Sequence, residues 1–189
     1  LKDLSKITLL SDNKNFTNFA NKIYSNDGDL DFDWLTKNII SSQKILNAKN
    51  NNFNIYKTHS VRHRTFTDDS VNLGFIYIVR DPRDIVISLS HFSGGSIDRS
   101  INELLNSEKL MTRANGAKEL ISTWELHVTS WMRYQTVPRL IIRYEDLLLN
   151  TKQTIYQIAD FLKTITKDKI FDKEINFSNI VQNTDFVKL

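Results

Sequence analysis

The stretch Phe75-Ile76-Tyr77-Ile78-Val79-Arg80-Asp81-Pro82-Arg83-Asp84-Ile85-Val86-Ile87-Ser88-Leu89-Ser90-His91-Phe92 decides how this chain is read. Its first part, Phe75 to Val79, is apolar throughout, as expected of a short strand buried on both faces of a parallel sheet. Asp81 is a good helix N-cap and Pro82 suits the first helical position, so a helix is expected to start at once. Arg80 therefore stands at the strand end, beside the unpaired N–H groups of a helix N-terminus, where an anion is attracted. Ser88 follows about 9 Å along the helix axis from Pro82, and its hydroxyl could supply a second contact to a bound phosphate. The other use of Arg80 is an ion pair with Asp81 or Asp84 that ties strand to helix; spacing alone leaves both open.

Working outward, residues 53–57 and 140–144 also read as short strands. Helical patterns separate them. Asp33 is placed to cap a helix over 33–47, with Trp34, Ile39, Ile40 and Leu46 as its apolar contacts. Residues 117–134 read as one long helix, because Leu120, Trp124, Val128 and Trp131 fall on a single stripe. A further helix follows Asn150, with Ile155, Ile158 and Leu162 on one face. Strands alternating with helices predict a three-layer α/β/α fold with a mostly parallel sheet, one domain spanning residues 1–189.

Each strand ends in an apolar-to-polar switch: Lys57-Thr58-His59, Arg80-Asp81-Pro82-Arg83-Asp84 and Tyr144-Glu145-Asp146. Ligands of open α/β sheets bind beyond the carboxyl ends of the strands. Parallel strands would bring these three clusters to one side. Strand ends also turn polar simply because they reach solvent.

Composition narrows the possibilities. The 189 residues carry 25 Lys plus Arg against 22 Asp plus Glu, a net charge of +3, and no long basic run, which is not the footprint of a nucleic-acid binder. There is no cysteine, so disulfides, thiolate zinc sites and thiol nucleophiles are excluded. No apolar run approaches the length of a membrane span. No secretory signal is visible, and a cytoplasmic location is the expectation.

The run from Tyr77 to Ser88, with the trailing His91-Phe92, resembles the 3′-phosphate-binding motif of sulfotransferases that use 3′-phosphoadenosine 5′-phosphosulfate (PAPS). Other segments match in order. Lys57-Thr58-His59 is similar to the Lys-Thr-His of cytosolic-type members. The stretch from Trp124 to Trp131, then Leu140 to Asp146, resembles the long helix and Tyr-Glu-Asp strand end of that family. Residues 150–162 resemble its next helix, and 177–184 the Phe-containing segment near the nucleotide base. The resemblance covers roughly residues 30 to 184 and implies a P-loop-like sulfotransferase fold.

That resemblance implies roles residue by residue. Arg80 and Ser88 would hold the 3′-phosphate of PAPS, and PAP would be the product. His59 would be the base that deprotonates the acceptor; a hydroxyl needs one, and a His near neutrality suits the task. Lys57 would stabilise charge on the transferring group; otherwise it is a solvated Lys at a strand end. Tyr144 and Phe177 would lie near the adenine, or else serve the core. No metal is implied by the resemblance or by any ligand cluster. His63 and His127 lack such a context and read as background, while His91 reads as a packing residue. Trp124 and Trp131 read as core.

The family's opening strand and Gly-containing phosphate loop have no counterpart here. The first glycine, Gly28, sits in an acidic turn. Residues 1–10 read like the helix that would follow such a loop, and the family's later Gly-rich basic segment is also missing. The expectation is therefore a chain cut at both ends, lacking the first strand, poorly stable and inactive alone. The competing readings are a non-catalytic or degenerate PAP-binding member of the fold, another P-loop enzyme such as a small-molecule kinase, and an unrelated interaction module. A small-molecule or carbohydrate acceptor fits the family. Neither acceptor identity nor oligomeric state is written in a motif. Residues 93–115, with Gly94-Gly95, read as a lid or a simple turn.

Overall fold

In the computed structural model, the described residues are 8–9, 44, 54–62, 69–107, 109–112, 118–133 and 136–167. The organising element is strand β3 (Phe75–Val79), which pairs in parallel with β6 (Arg139–Arg143), in register from Phe75↔Arg139 to Val79↔Arg143. A parallel pair needs a crossover connection. Here it is made by helix α1 (Pro82–Ser93), helix α2 (Ile97–Leu105), strands β4 (Leu110–Thr112) and β5 (Lys118–Leu120), and helix α3 (Trp124–Arg133). After β6 come α4 (Tyr144–Leu149) and α5 (Thr151–Thr166). Alternating helices and parallel strands make this an α/β fold, as the sequence indicates.

Strands β1 (Thr8–Leu9) and β2 (Tyr56–Lys57) form a second parallel pair, with Leu9 opposite Lys57. This corrects the reading of residues 1–10 as a helix: Thr8 and Leu9 take an extended backbone because β2 offers a strand to pair with. β4 and β5 pair antiparallel, Leu110 opposite Leu120. The long helix expected from residue 117 is thus shorter. Residues 118–120 are strand, and helix begins only at Trp124, after Ser122 in the left-handed region at φ 62°. The stripe position of Leu120 was coincidental; its carbonyl accepts from the Val61 N–H instead.

Two further boundaries move. Tyr144 opens α4 rather than closing a strand. The lid expected over 93–115 contains the ordered α2 and β4, and Gly94, at φ 63°, ends α1 with its N–H on the Ser90 carbonyl. Such a left-handed cap favours glycine. Of the helix expected over 33–47, only Lys44 is described; it is helical and exposed.

The side chains of Phe75 and Tyr77 share one face of β3, as period-two alternation requires. Trp131 of α3 packs on both, edge-on to Phe75 at 5.0 Å and stacked on Tyr77 at 5.8 Å. Arg62 lies against the same cluster, 4.9 Å from the Phe75 ring centre and 5.3 Å from that of Trp131, and pairs with Asp69. Ile142 of β6, Val61, Leu147 and Ala159 are buried as well. At Gly74 a Cβ would come within 2.8 Å of the Pro138 carbonyl oxygen. That close approach lets the Phe75 N–H reach Pro138 and fixes where β3 and β6 begin to pair. Among the described residues no helix is long and apolar enough to cross a membrane.

Candidate active site

The end of β3 runs into α1 as the sequence predicts. The Asp81 carboxylate caps the helix by accepting from the Arg83 N–H at 2.9 Å, with Pro82 in the first turn. Both carboxylate oxygens of Asp81 are also taken by the Arg83 guanidinium, at 2.9 and 2.6 Å. Those bonds hold the Asp81 carboxyl down at about 2. Arg80 is therefore left to a different environment. Its guanidinium lies over the Tyr144 ring, 4.6 Å from the centre, and its Nε is buried with no hydrogen-bond partner among the described residues.

Two of the three strand-end clusters thus meet directly. Besides the Arg80–Tyr144 stack, Glu145 Oε1 accepts from the Asp81 N–H at 3.0 Å. That backbone bond is the main reason the Glu145 carboxyl sits below its ordinary value, and Arg143 at 3.5 Å adds to it. The parallel register places Val79 opposite Arg143, so Arg80 and Tyr144 leave the sheet side by side.

The third cluster, Lys57-Thr58-His59, leaves β2 as irregular chain. Backbone without secondary structure must find other hydrogen-bond partners, and here each N–H from His59 to Arg62 does so. His59 N–H donates to Glu119 Oε1 at 3.0 Å, Ser60 to Thr58 Oγ1 at 3.1 Å, Val61 to the Leu120 carbonyl at 2.9 Å and Arg62 to Ser130 Oγ at 3.0 Å. Carbonyls are held too: His127 Nε2 bonds the His59 carbonyl at 3.1 Å, and Trp131 Nε1 that of Ser60 at 3.2 Å. Trp124 Nε1 donates to the Arg80 carbonyl at 3.3 Å.

Helix α3 is therefore the element that relates His59 to Arg80. Its Trp124, His127 and Trp131 lie on one face and present ring nitrogens to the carbonyls of Arg80, His59 and Ser60. His127 is not background, and Trp124 is more than core packing. The signal was available in the sequence: three nitrogen-bearing rings at helical spacing on one stripe. The carbonyl of His59 can only accept, so Nε2 of His127 carries the proton and Nδ1 accepts from the Tyr77 hydroxyl at 2.9 Å. Burial lowers the His127 pKa, partly offset by the bond to His59. Burial also pushes the Tyr77 hydroxyl up to about 12. Glu119 was not singled out in the sequence, and Glu145 stood in a strand-end cluster without a role of its own, because only tertiary contacts give these carboxylates one.

The remaining expected residues are placed as follows. Lys57 is exposed at the end of β2, and His59 is half-buried. Ser88 is exposed on α1, and no bond joins it to Arg80 among the described residues. His91 is exposed rather than packed. Phe177 lies outside the described residues.

Comparison with known proteins points one way. A family model described as a sulfotransferase domain matches residues 5–188. The mouse sulfotransferase 1B1 is 31% identical over 137 residues, 70% of this chain and 42% of the relative. The dog sulfotransferase 1B1 is 26% identical over 149 residues, 72% of this chain and 46% of the relative. The rabbit amine sulfotransferase is 26% identical over 123 residues, 57% of this chain and 40% of the relative. The chain thus spans less than half the length of these relatives.

Proposed function

The chain belongs to the sulfotransferase domain family, and from that premise we propose that it serves sulfuryl transfer from PAPS to a hydroxyl or amine of a small-molecule or carbohydrate acceptor. The observation that carries the reading is Arg80: a guanidinium at the end of a parallel strand, beside a capped helix N-terminus, with a buried Nε in want of an acceptor. A buried donor without an acceptor, at the start of a helix where the dipole favours negative charge, fits a phosphate. When bound, PAPS supplies the activated sulfuryl group.

The chain's own residues would act as follows. Arg80 holds the 3′-phosphate, with Ser88 offering a hydroxyl from α1. Tyr144 is the platform that orients the Arg80 guanidinium; it and Phe177 face the nucleotide base. His59 takes the acceptor proton as general base, since an unionised hydroxyl is a poor nucleophile. Lys57, at the same strand end, stabilises developing negative charge. No metal enters this scheme. A cytoplasmic setting belongs to the same reading.

The test is calorimetric titration of PAP into the wild-type protein and into Arg80→Ala. The expected result is binding by the wild type and a loss of at least about tenfold in the variant, roughly 1.4 kcal/mol. A folded wild type that does not bind PAP ends this reading.

A further inference from the structure

Both main-chain groups of His59 are held by side chains from outside its own segment. Its N–H goes to Glu119 Oε1 at 3.0 Å and its carbonyl to His127 Nε2 at 3.1 Å. Glu119 is 2% exposed and sits on β5; His127 sits on α3. His127 is itself fixed from the far side by the Tyr77 hydroxyl of β3 and stacks on that ring at 5.7 Å. A chain of contacts therefore runs from the sheet, through one imidazole, to the backbone of the residue assigned as base.

We infer that His127, as its Nε2–H tautomer, and Glu119 are positioning residues that clamp the main chain of His59 and so set where its imidazole stands. The inference rests on the reading of His59 as the base. The clamp is needed because residues 58–62 belong to no helix or strand, and no ladder fixes them. A side chain carried on unanchored backbone loses its aim, and a misplacement of about 1 Å can cost on the order of 100-fold in rate. Trp131 and Ser130 anchor the next residues, while Glu119 and His127 bond His59 itself.

The test begins without a variant. Imidazole nitrogen NMR of the wild-type chain should show His127 protonated on Nε2 and bare on Nδ1; the opposite tautomer overturns the inference. Next, His127→Phe keeps a ring against Tyr77 but removes the donor, while His127→Gln supplies an amide N–H in its place. With His127→Phe, the His59 amide and ring signals should move, kcat should fall on the order of 10- to 100-fold, and the Kd for PAP should stay within about twofold. His127→Gln should recover most of kcat. Unmoved His59 signals, or an unchanged kcat in a folded His127→Phe, overturn the inference. A loss of PAP affinity equal to the loss of kcat also overturns it, since the effect would then be general. A wild type that binds no PAP overturns the functional reading instead, and the NMR result tells that failure apart from failure of the clamp.

Discussion

The guanidinium of Arg80 lies over the ring of Tyr144, 4.6 Å from its centre, although the two residues are far apart in sequence. They meet because β3 and β6 run parallel and in register, so both strands release their next residue at the same edge. An Arg braced on an aromatic face keeps its fork directed with less entropy left to lose when an anion arrives.

Removing that platform is therefore expected to weaken PAP binding without abolishing it. A cation–π contact of this kind is worth about 0.5–2 kcal/mol, so Tyr144→Leu should lose roughly 2- to 30-fold in affinity, and Tyr144→Phe much less. Calorimetry on the two variants checks this. Equal losses in both would assign the effect to the hydroxyl instead of the ring face.

His59→Ala should lower kcat by about 10²–10⁴-fold, the usual contribution of a general base, and leave the Kd for PAP nearly unchanged. Single-turnover kinetics with saturating acceptor separates the two quantities. A loss confined to PAP affinity would mean that His59 binds the nucleotide and is not the base.

Trp131 joins three parts of the fold: Phe75 and Tyr77 of the sheet, the Arg62 guanidinium, and the Ser60 carbonyl. Trp131→Ala should destabilise the protein by about 3–5 kcal/mol. Trp131→Phe keeps much of the packing and loses the hydrogen bond, worth about 1 kcal/mol. Urea unfolding followed by circular dichroism gives both values, and a Trp131→Ala midpoint equal to that of wild type would contradict the packing described.

His127 gives stability a pH dependence whose sign follows from its burial. Its folded pKa lies below the ordinary value of 6.5. Below about pH 6.5 the unfolded chain binds a proton that the folded protein resists. The contribution is complete above pH 6.5 and is lost progressively as pH falls from there toward the depressed folded value. Urea midpoints measured between pH 8 and pH 5 should fall more steeply for wild type than for His127→Gln, which cannot titrate. Parallel profiles would refute the assignment.

At the other end of the scale, the Tyr77 hydroxyl is pushed up to about 12 by burial. A spectrophotometric titration should show one tyrosine ionising well after the ordinary range near 10, or only as the protein unfolds. That late phase should disappear in Tyr77→Phe. If the variant keeps it, another tyrosine is the buried one.

By itself the sequence determined the parts whose physics is local. The all-apolar run Phe75–Val79 became a parallel strand, although it is only partly buried and Ile78 is 49% exposed, and Asp81-Pro82 began a helix directly after it, so Arg80 stands at a strand end beside a helix N-terminus. Where pattern misled, long-range pairing overrode it. Thr8–Leu9 and residues 118–120 looked helical but became strands, because partners at Tyr56–Lys57 and Leu110–Thr112 completed their hydrogen bonds. Only the tertiary structure decided that Arg80 rests on Tyr144 and not on Asp81, and that Glu119 and His127 grip the backbone of His59. The reason is physical: a strand or a cap is chosen among neighbours a few residues apart, whereas the partner of a buried donor is whichever acceptor the packed helices and strands bring within reach.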